Sequence, residues 1–512
     1  MPPGPTTRPA DTARTLADLA RGHDPDRTAV VADGTRSSYG ALDSRADRLA
    51  AGLHGLGLRS GDRVVVQLPN GAAFAETLLA CFRLGVVPVL ALAAHRRAEL
   101  AHLVRASAAV ALVVTDVVAG FDHRDLAREV VPGTGVRHVL VAGEPGPFTA
   151  LAALDADPVP LPAPDPSDPA LLLLSGGTTG LPKLIPRTHG DYTAQLRASA
   201  AAMGFDRDGC YLAALPAAHN AALGCPGVLG ALLLGAKVVF ARTPSPDEVF
   251  GLIAREGVTL TTLMPPLLAL WVDLAEAYAA DLSGVVVEVG GAVLDPVTAA
   301  RVGPVLGARL THWFGMAEGP LACTRPDDPP ERAAACCGTP LFAADEVRLV
   351  DEADREVPPG AVGRLLWRGP TTIRAYAEPD DAAFTADGFL RTGDLARREP
   401  DGSLVITGRT KDVVNRAGEK VSVPELELLL AAHPAVRGVG VVAVPDASLG
   451  EKTCAVVVAR EAAPTLEELR DYLSGGGLAA FKLPDRLVVV DALPHTPAGK
   501  LDRRALALVA GA

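Results

Sequence analysis

Short apolar runs alternate with helical periodicity through the first half of the chain. RVVVQL at 63–68, VVPVL at 86–90, VALVVT at 110–115 and LLLL at 171–174 read as strands buried on both faces. Between them, 72–84 and 100–106 carry apolar residues at helical spacing, and the first of these stops at Gly85. The alternation continues as helix 192–203, strand 211–215, a glycine-rich helix from Cys225, strand 237–240, helix 247–256, strand 259–264, helix 266–279 and strand 285–289. Residues 15–58 read as mainly helical, and the Pro-, Asp- and Ala-rich stretch 144–169 reads as a connection between subdomains. Strand–helix alternation of this kind predicts parallel α/β sheets.

From about Glu346 the pattern changes. EVRLV, GRLLWRG and SLVITGR read as antiparallel strands with polar turns. RTKDVVNRAGEK at 409–420 is charged and punctuated by glycine, as a hinge would be, and a small α+β unit follows it. The expected fold is α/β: a large N-terminal domain of α/β subdomains plus a β-rich subdomain at 1–408, and a small α+β C-terminal domain at 409–512. With 512 residues, more than one core is required.

The net charge of −12 and the lack of any basic run argue against a nucleic-acid surface. The seven cysteines are scattered with no C-x-x-C spacing, which points to a reducing compartment and away from a disulfide frame or zinc site. The N-terminus has no apolar leader segment, so a cytoplasmic protein is expected. The long uncharged stretch 211–236 is broken by Pro216, His219-Asn220, Gly224 and Pro226, and is not read as a membrane helix.

Four segments carry chemistry. Ser175-Gly176-Gly177-Thr178-Thr179-Gly180, followed by Lys183, has little bulk and many donors, as a loop closing on phosphates needs. It is not a Walker loop, because Pro182 and the displaced Lys183 break that pattern. Glu318 stands alone between glycines in FGMAEG, where it could hold Mg2+ beside phosphates. Asp394 in RTGD, with Tyr376 upstream, could accept hydroxyl donors at a strand end. Lys500 in TPAGK lies on a turn, where an ammonium can meet developing charge. Each alone is equally compatible with a solvated turn.

In this fixed order the four segments resemble the adenylate-forming superfamily, over nearly the whole chain. SGGTTGLPKLIPRTHGDY, LPAAHNAALGCPGVLG, NRAGEK and GLAAFKLPDR are further similar to the stand-alone aryl-acid–AMP ligases, which activate 2,3-dihydroxybenzoate or salicylate. The resemblance implies two half-reactions. A carboxylate attacks the α-phosphate of MgATP, giving an acyl-adenylate and pyrophosphate. The phosphopantetheine thiol of an aryl carrier protein, supplied in trans, then takes the acyl group and releases AMP. An aryl-CoA ligase is the alternative, differing only in its thiol.

By this resemblance, Ser175 to Gly180 and Lys183 grip the β- and γ-phosphates, and Glu318 holds Mg2+. Asp394 and Arg409 bind the ribose. Gly291, Ala292, Phe314, Gly315, Met316 and Ala317 flank the adenine and the aryl ring. Lys500 bridges substrate carboxylate and α-phosphate, with His219 beside it, and Lys411 is the hinge about which the mobile C-terminal domain turns. The acid pocket falls on Asn220, Ala221, Cys225, Trp313 and Leu321. Cys225 is a weak hydrogen-bonding group, Ala221 stands where relatives carry an aromatic, and Trp313 where they carry a small residue. These departures predict an ortho-hydroxy or ortho-amino aryl or heteroaryl acid of a different outline, bicyclic or substituted. No acidic residue lies in HNAALGC to pair with an amino acid's ammonium.

Overall fold

The computed structural model describes residues 15–175, 182–292, 294–410, 413–416, 419–446, 450–475, 478, 482–496 and 499–511. Among these, the main strands form sheets of nine, seven, four and five strands. The seven-stranded sheet runs, across its width, Leu184–Thr188, Pro169–Leu174, Val87–Leu90, Arg63–Gln67, Ala111–Thr115, His138–Ala142 and Thr149–Ala150. Two of these matter most below: Pro169–Leu174 is named β1 and Leu184–Thr188 β2. The apolar runs in this sheet are buried because helices cover it, as parallel pairing requires. One of them, Ala72–Leu84, ends at Gly85 in the left-handed conformation at φ +72°.

Helix α1 (His189–Met203) follows β2 and is capped by a reciprocal pair, Thr188 with Asp191. Short helix α2 (Asn220–Gly224) starts at His219. The nine-stranded sheet then supplies β3 (Leu260–Leu263), β4 (Val286–Gly290), β5 (Arg309–Gly315) and β6 (Leu321–Cys323). β3, β4 and β5 are parallel and β6 is antiparallel to β5. The largest core joins both sheets through helices, with Tyr39, Leu78, Phe82, Tyr192 and Leu229 all buried in it.

The four-stranded antiparallel sheet contains β7 (Leu390–Arg398) and β8 (Leu404–Arg409). The next strand, β9 (Val413–Arg416), belongs to the five-stranded sheet, so the chain changes sheets between Arg409 and Val413.

Three sequence expectations change. Residues 15–58 are not mainly helical: Thr28–Ala32 and Thr35–Ser38 pair antiparallel at the edge of the nine-stranded sheet, before helix Tyr39–Gly55. Asp33 and Gly34 both have positive φ, 49° and 75°, as a two-residue hairpin turn demands. The 144–169 stretch does not link two sheets. It leaves Thr149–Ala150 at one edge of the seven-stranded sheet and returns as β1 near the other. On its way it is held to helix Tyr39–Gly55 by Arg48 and Asp155, 2.5 Å apart. Finally, Asp394 sits inside the nine-residue β7 and not at the end of a short strand.

Candidate active site

β1 and β2 are antiparallel, with Leu174 opposite Leu184. The strands before and after the glycine-rich segment thus pair with each other, whereas a Walker motif leads from its strand into a helix. The base of the segment is tied twice. Ser175 N–H donates to Lys183 O at 3.0 Å, and Lys183 N–H donates to Ser175 Oγ at 2.9 Å. Gly176, Gly177, Thr178, Thr179 and Gly180 lie outside the described residues, as does Lys411. The Lys183 ammonium pairs with Asp380 and lies 4.8 Å from the centre of the Tyr376 ring. Such a half-exposed pair is a weak restraint, and a polyanion can draw the ammonium away.

At the end of β5 the chain turns through Met316 and Ala317 to Glu318, which is 5% exposed. The Tyr376 hydroxyl donates to Glu318 Oε1 at 2.9 Å, and Ile373 N–H donates to the Glu318 carbonyl at 2.9 Å. The turn is thereby stitched to the 371–376 loop. Gly319 is required there: φ is +111°, and a Cβ would fall 1.9 Å from Thr371 O. Among the described residues, the other carboxylate oxygen of Glu318 has no hydrogen-bond partner. The Phe314 ring points away from Trp313, toward Trp367 at 6.2 Å.

Asp394 is buried and receives Arg409 Nε at 3.1 Å. Burial pushes its carboxyl up to about 6, although Arg409 pulls the other way. Lys500 arrives from the C-terminal unit. Its turn is closed by Thr496 N–H to Lys500 O at 2.7 Å and by Lys500 N–H to Thr496 Oγ1 at 3.2 Å. A Cβ on Gly291, just past β4, would lie 3.6 Å from Lys500 Cε, so the lysine stem lies over this turn. Burial lowers the Lys500 ammonium, Arg409 lowers it further, and Asp394 and Glu318 oppose both. The same charges thus surround one point. His219 is near enough to feel Lys500, and burial together with that charge pushes its imidazole down to about 4. Ala221 N–H donates to His219 Nδ1 at 3.3 Å, so the neutral ring carries its proton on Nε2.

The acid-pocket residues gather on the α1–α2 side. Tyr192 Oη donates to Asn220 Oδ1 at 2.8 Å, which turns the Asn220 amide nitrogen toward Cys225, 4.0 Å from its sulfur. Gln195 Nε2 donates to Gly224 O at 2.8 Å and lies 3.9 Å from the same sulfur. Arg187, fully buried, donates to Gln195 Oε1 at 2.9 Å and to Ala317 O at 3.0 Å. Trp313 pairs with Cys323 across β5 and β6, and Leu321 with Gly315. The Leu321 side chain occupies the space a Cβ on Gly315 would take, at 2.5 Å. Ala292 and Gly291 are exposed at the mouth.

The described expected residues thus fall into two adjoining groups, one around Lys500, Glu318, Asp394, Arg409, His219 and Gly291, the other around Asn220, Cys225, Trp313 and Leu321. Sequence reasoning missed Arg187, Tyr192 and Gln195, which orient the second group. Their signal was present in PRTHGDYTAQ: an arginine, an aromatic and an amide on successive turns of one helix and its leading strand.

The family model described as "AMP-binding enzyme" matches residues 18–377, and its C-terminal domain model matches 425–500. Triostin synthetase I of Streptomyces triostinicus is 52% identical, over 97% of this chain and 93% of that one. The salicyl-AMP ligase / salicyl-S-ArCP synthetase of Mycobacterium tuberculosis is 50% identical, over 96% and 89%. The apo structure of Mycobacterium smegmatis MbtA is 48% identical, with a TM-score of 0.74, covering 98% of this chain and 96% of that one. The chain belongs to the AMP-binding, adenylate-forming enzyme family, among its aryl-acid–AMP ligases.

Proposed function

We propose that this enzyme converts an ortho-hydroxy or ortho-amino aryl or heteroaryl acid to its adenylate and passes the acyl group to the phosphopantetheine thiol of an aryl carrier protein. The carrying observation is the arrival of Lys500 over Gly291, with Glu318, Asp394, Arg409 and His219 around it. Adenylation needs charge neutralisation and alignment more than a protein nucleophile. The carboxylate oxygen bonds to the α-phosphorus of ATP and the bond to pyrophosphate breaks. The Lys500 ammonium lies between both partners' negative charges. Asp394 and Arg409 hold the ribose, and the Ser175–Lys183 hairpin base supports the grip on pyrophosphate.

Glu318 suits Mg2+, because its second oxygen has no partner among the described residues and one carboxylate plus substrate phosphates is a usual donor set for that ion. Magnesium there would neutralise phosphate charge. His219 Nε2–H is placed to donate to the acid's carboxylate. The thiol then attacks the acyl carbon and AMP leaves.

We divide the chain at 409, where it changes sheets. No described helix is long and apolar enough to cross a membrane, and all seven cysteines are buried and free, which supports the cytoplasmic reading.

The test is ATP–pyrophosphate exchange over salicylate, anthranilate, 2,3-dihydroxybenzoate and bicyclic heteroaryl acids, followed by CoA or a holo carrier protein. Exchange with an ortho-substituted acid and a thioester on the carrier are expected. The acid expected has a different outline from 2,3-dihydroxybenzoate, so a clear preference for that compound refutes the acid assignment, and transfer to CoA alone refutes the carrier.

A further inference from the structure

Two buried polar atoms beside the acid pocket have no partner among the described residues: Glu288 Oε1 and Trp313 Nε1. Glu288 lies on β4 and Trp313 on β5. Gly290 is opposite Trp313 and Glu288 opposite Thr311, so both side chains leave the sheet on one face, a diagonal pair. That face packs on α1, since Thr311 Oγ1 lies 3.5 Å from Met203 Sδ. Glu288 is 1% exposed and lies near the thiols of Cys225 and Cys323. It therefore borders the part of the pocket where Cys225 faces the ring.

The proton of Glu288 can be traced. The Tyr211 hydroxyl donates to Thr262 Oγ1 at 3.1 Å, and the Thr262 hydroxyl donates to Glu288 Oε2 at 2.6 Å. Burial raises the carboxyl well above the usual range, against the Thr262 hydrogen bond, which lowers it. With Oε2 accepting from Thr262, a proton on this carboxyl would sit on Oε1, the oxygen without a partner among the described residues. Beside the acid-pocket residues this leaves two enclosed polar atoms without a partner among the described residues, Glu288 Oε1 and the Trp313 indole N–H. Leaving such groups unpaired is costly, and a ligand acceptor relieves the cost.

We infer that Glu288 and Trp313 form a donor pair that selects an aryl acid carrying a ring acceptor, a heteroaromatic nitrogen, on the edge away from its carboxylate. This rests on the aryl-acid reading above and narrows it to azaarene acids.

The test compares carbocyclic acids with their ring-nitrogen isosteres: benzoate with the pyridine-carboxylates, and naphthalene-carboxylates with the quinoline-carboxylates. The readout is kcat/KM in pyrophosphate exchange with the full chain. At least one nitrogen isomer is expected to exceed its carbocycle by about 10-fold or more, the scale on which a site built for hydrogen bonding discriminates. Glu288→Leu is expected to bring that ratio within about 3-fold, mainly through KM. Glu288→Gln keeps most of it, because its amide N–H replaces the O–H. Trp313→Phe reduces it separately. If Glu288→Leu fails to fold, the Gln and Phe variants and the wild-type ratio still decide. No nitrogen preference in the wild type, or an unchanged ratio in an active Glu288→Leu, overturns the inference. Exchange with none of these acids nor salicylate overturns instead the aryl-acid reading on which it rests.

Discussion

Lys500 has only its ammonium to contribute, so its worth depends on where the turn delivers it. The stem lies over Gly291, amid Glu318, Asp394 and Arg409. Lys500→Ala is expected to lower pyrophosphate exchange by about 10²–10³, the scale for losing one transition-state charge contact. Thioester formation from a presynthesised aryl-adenylate should stay within a few-fold. Asp394 gives a pH signature. Its carboxyl rises from 3.8 to about 6 on burial, so the folded protein holds this proton in that window while the unfolded chain has lost it. Ligand-free stability from this group is therefore present at low pH and lost as pH rises through about 6. Ribose hydroxyls donate to the charged form, so AMP affinity should move the opposite way, weakening as pH falls from 7 to 5. Calorimetry of AMP binding checks this, and Asp394→Asn should flatten the profile. Lys500, Glu318 and Asp394 stand out in the sequence because each adjoins a glycine in a short motif. Arg187, Tyr192 and Gln195 do not, since their work is to hold other side chains, and that depends on packing across three elements.

Strands buried on both faces were the easiest elements to read, because ALLLL or ALVVT leaves no other period. β7 was harder: LRTGDLARR alternates buried and partly exposed positions, and its charges mask the strand. The Thr28–Ser38 hairpin was readable from Asp33-Gly34 but was overridden by the helical stretches on either side. No sequence rule revealed the seam between the 316–319 turn and the 371–376 loop, which pairs segments more than fifty residues apart. Gly319 is its tightest point. Gly319→Ala puts a methyl 1.9 Å from Thr371 O and should part the seam, displacing Glu318. Exchange activity is expected to fall by about 10² or more, the scale of one misplaced electrostatic contact, with a lower Tm. Gly402→Ala is the control: φ is also positive, +85°, but nothing lies within 4 Å, so only about 1–2 kcal/mol of backbone strain is expected and no specific loss of exchange.

At the scale of the whole molecule, one of the groups proposed to act in adenylation stands on a different unit from the rest. Glu318, Gly291 and Asp394 stand on the large unit, whereas Lys500 stands on the unit built around the five-stranded sheet. The chain joining them leaves β8 at Arg409 and enters β9 at Val413. Alongside that crossing, Gly408 approaches Pro424, where a Cβ would lie 3.2 Å from Cγ, so the packing there is close. In the arrangement described, the Lys500 stem lies beside Gly291, the placement that the proposed adenylation step calls for. A rotation of the small unit about the 410–412 link would withdraw Lys500 from that place, a hinge motion absorbed by few backbone angles. Lys411 lies in this link, and proline there would fix φ and remove an N–H. Lys411→Pro is therefore expected to leave pyrophosphate exchange within about 3-fold, since the Lys500-in arrangement is retained, and to lower thioester formation by at least about 10², as for a blocked domain movement. The two half-reactions are measured separately, the second with preformed adenylate and carrier protein. Equal loss of both would mean that the link supports the fold and not the rotation.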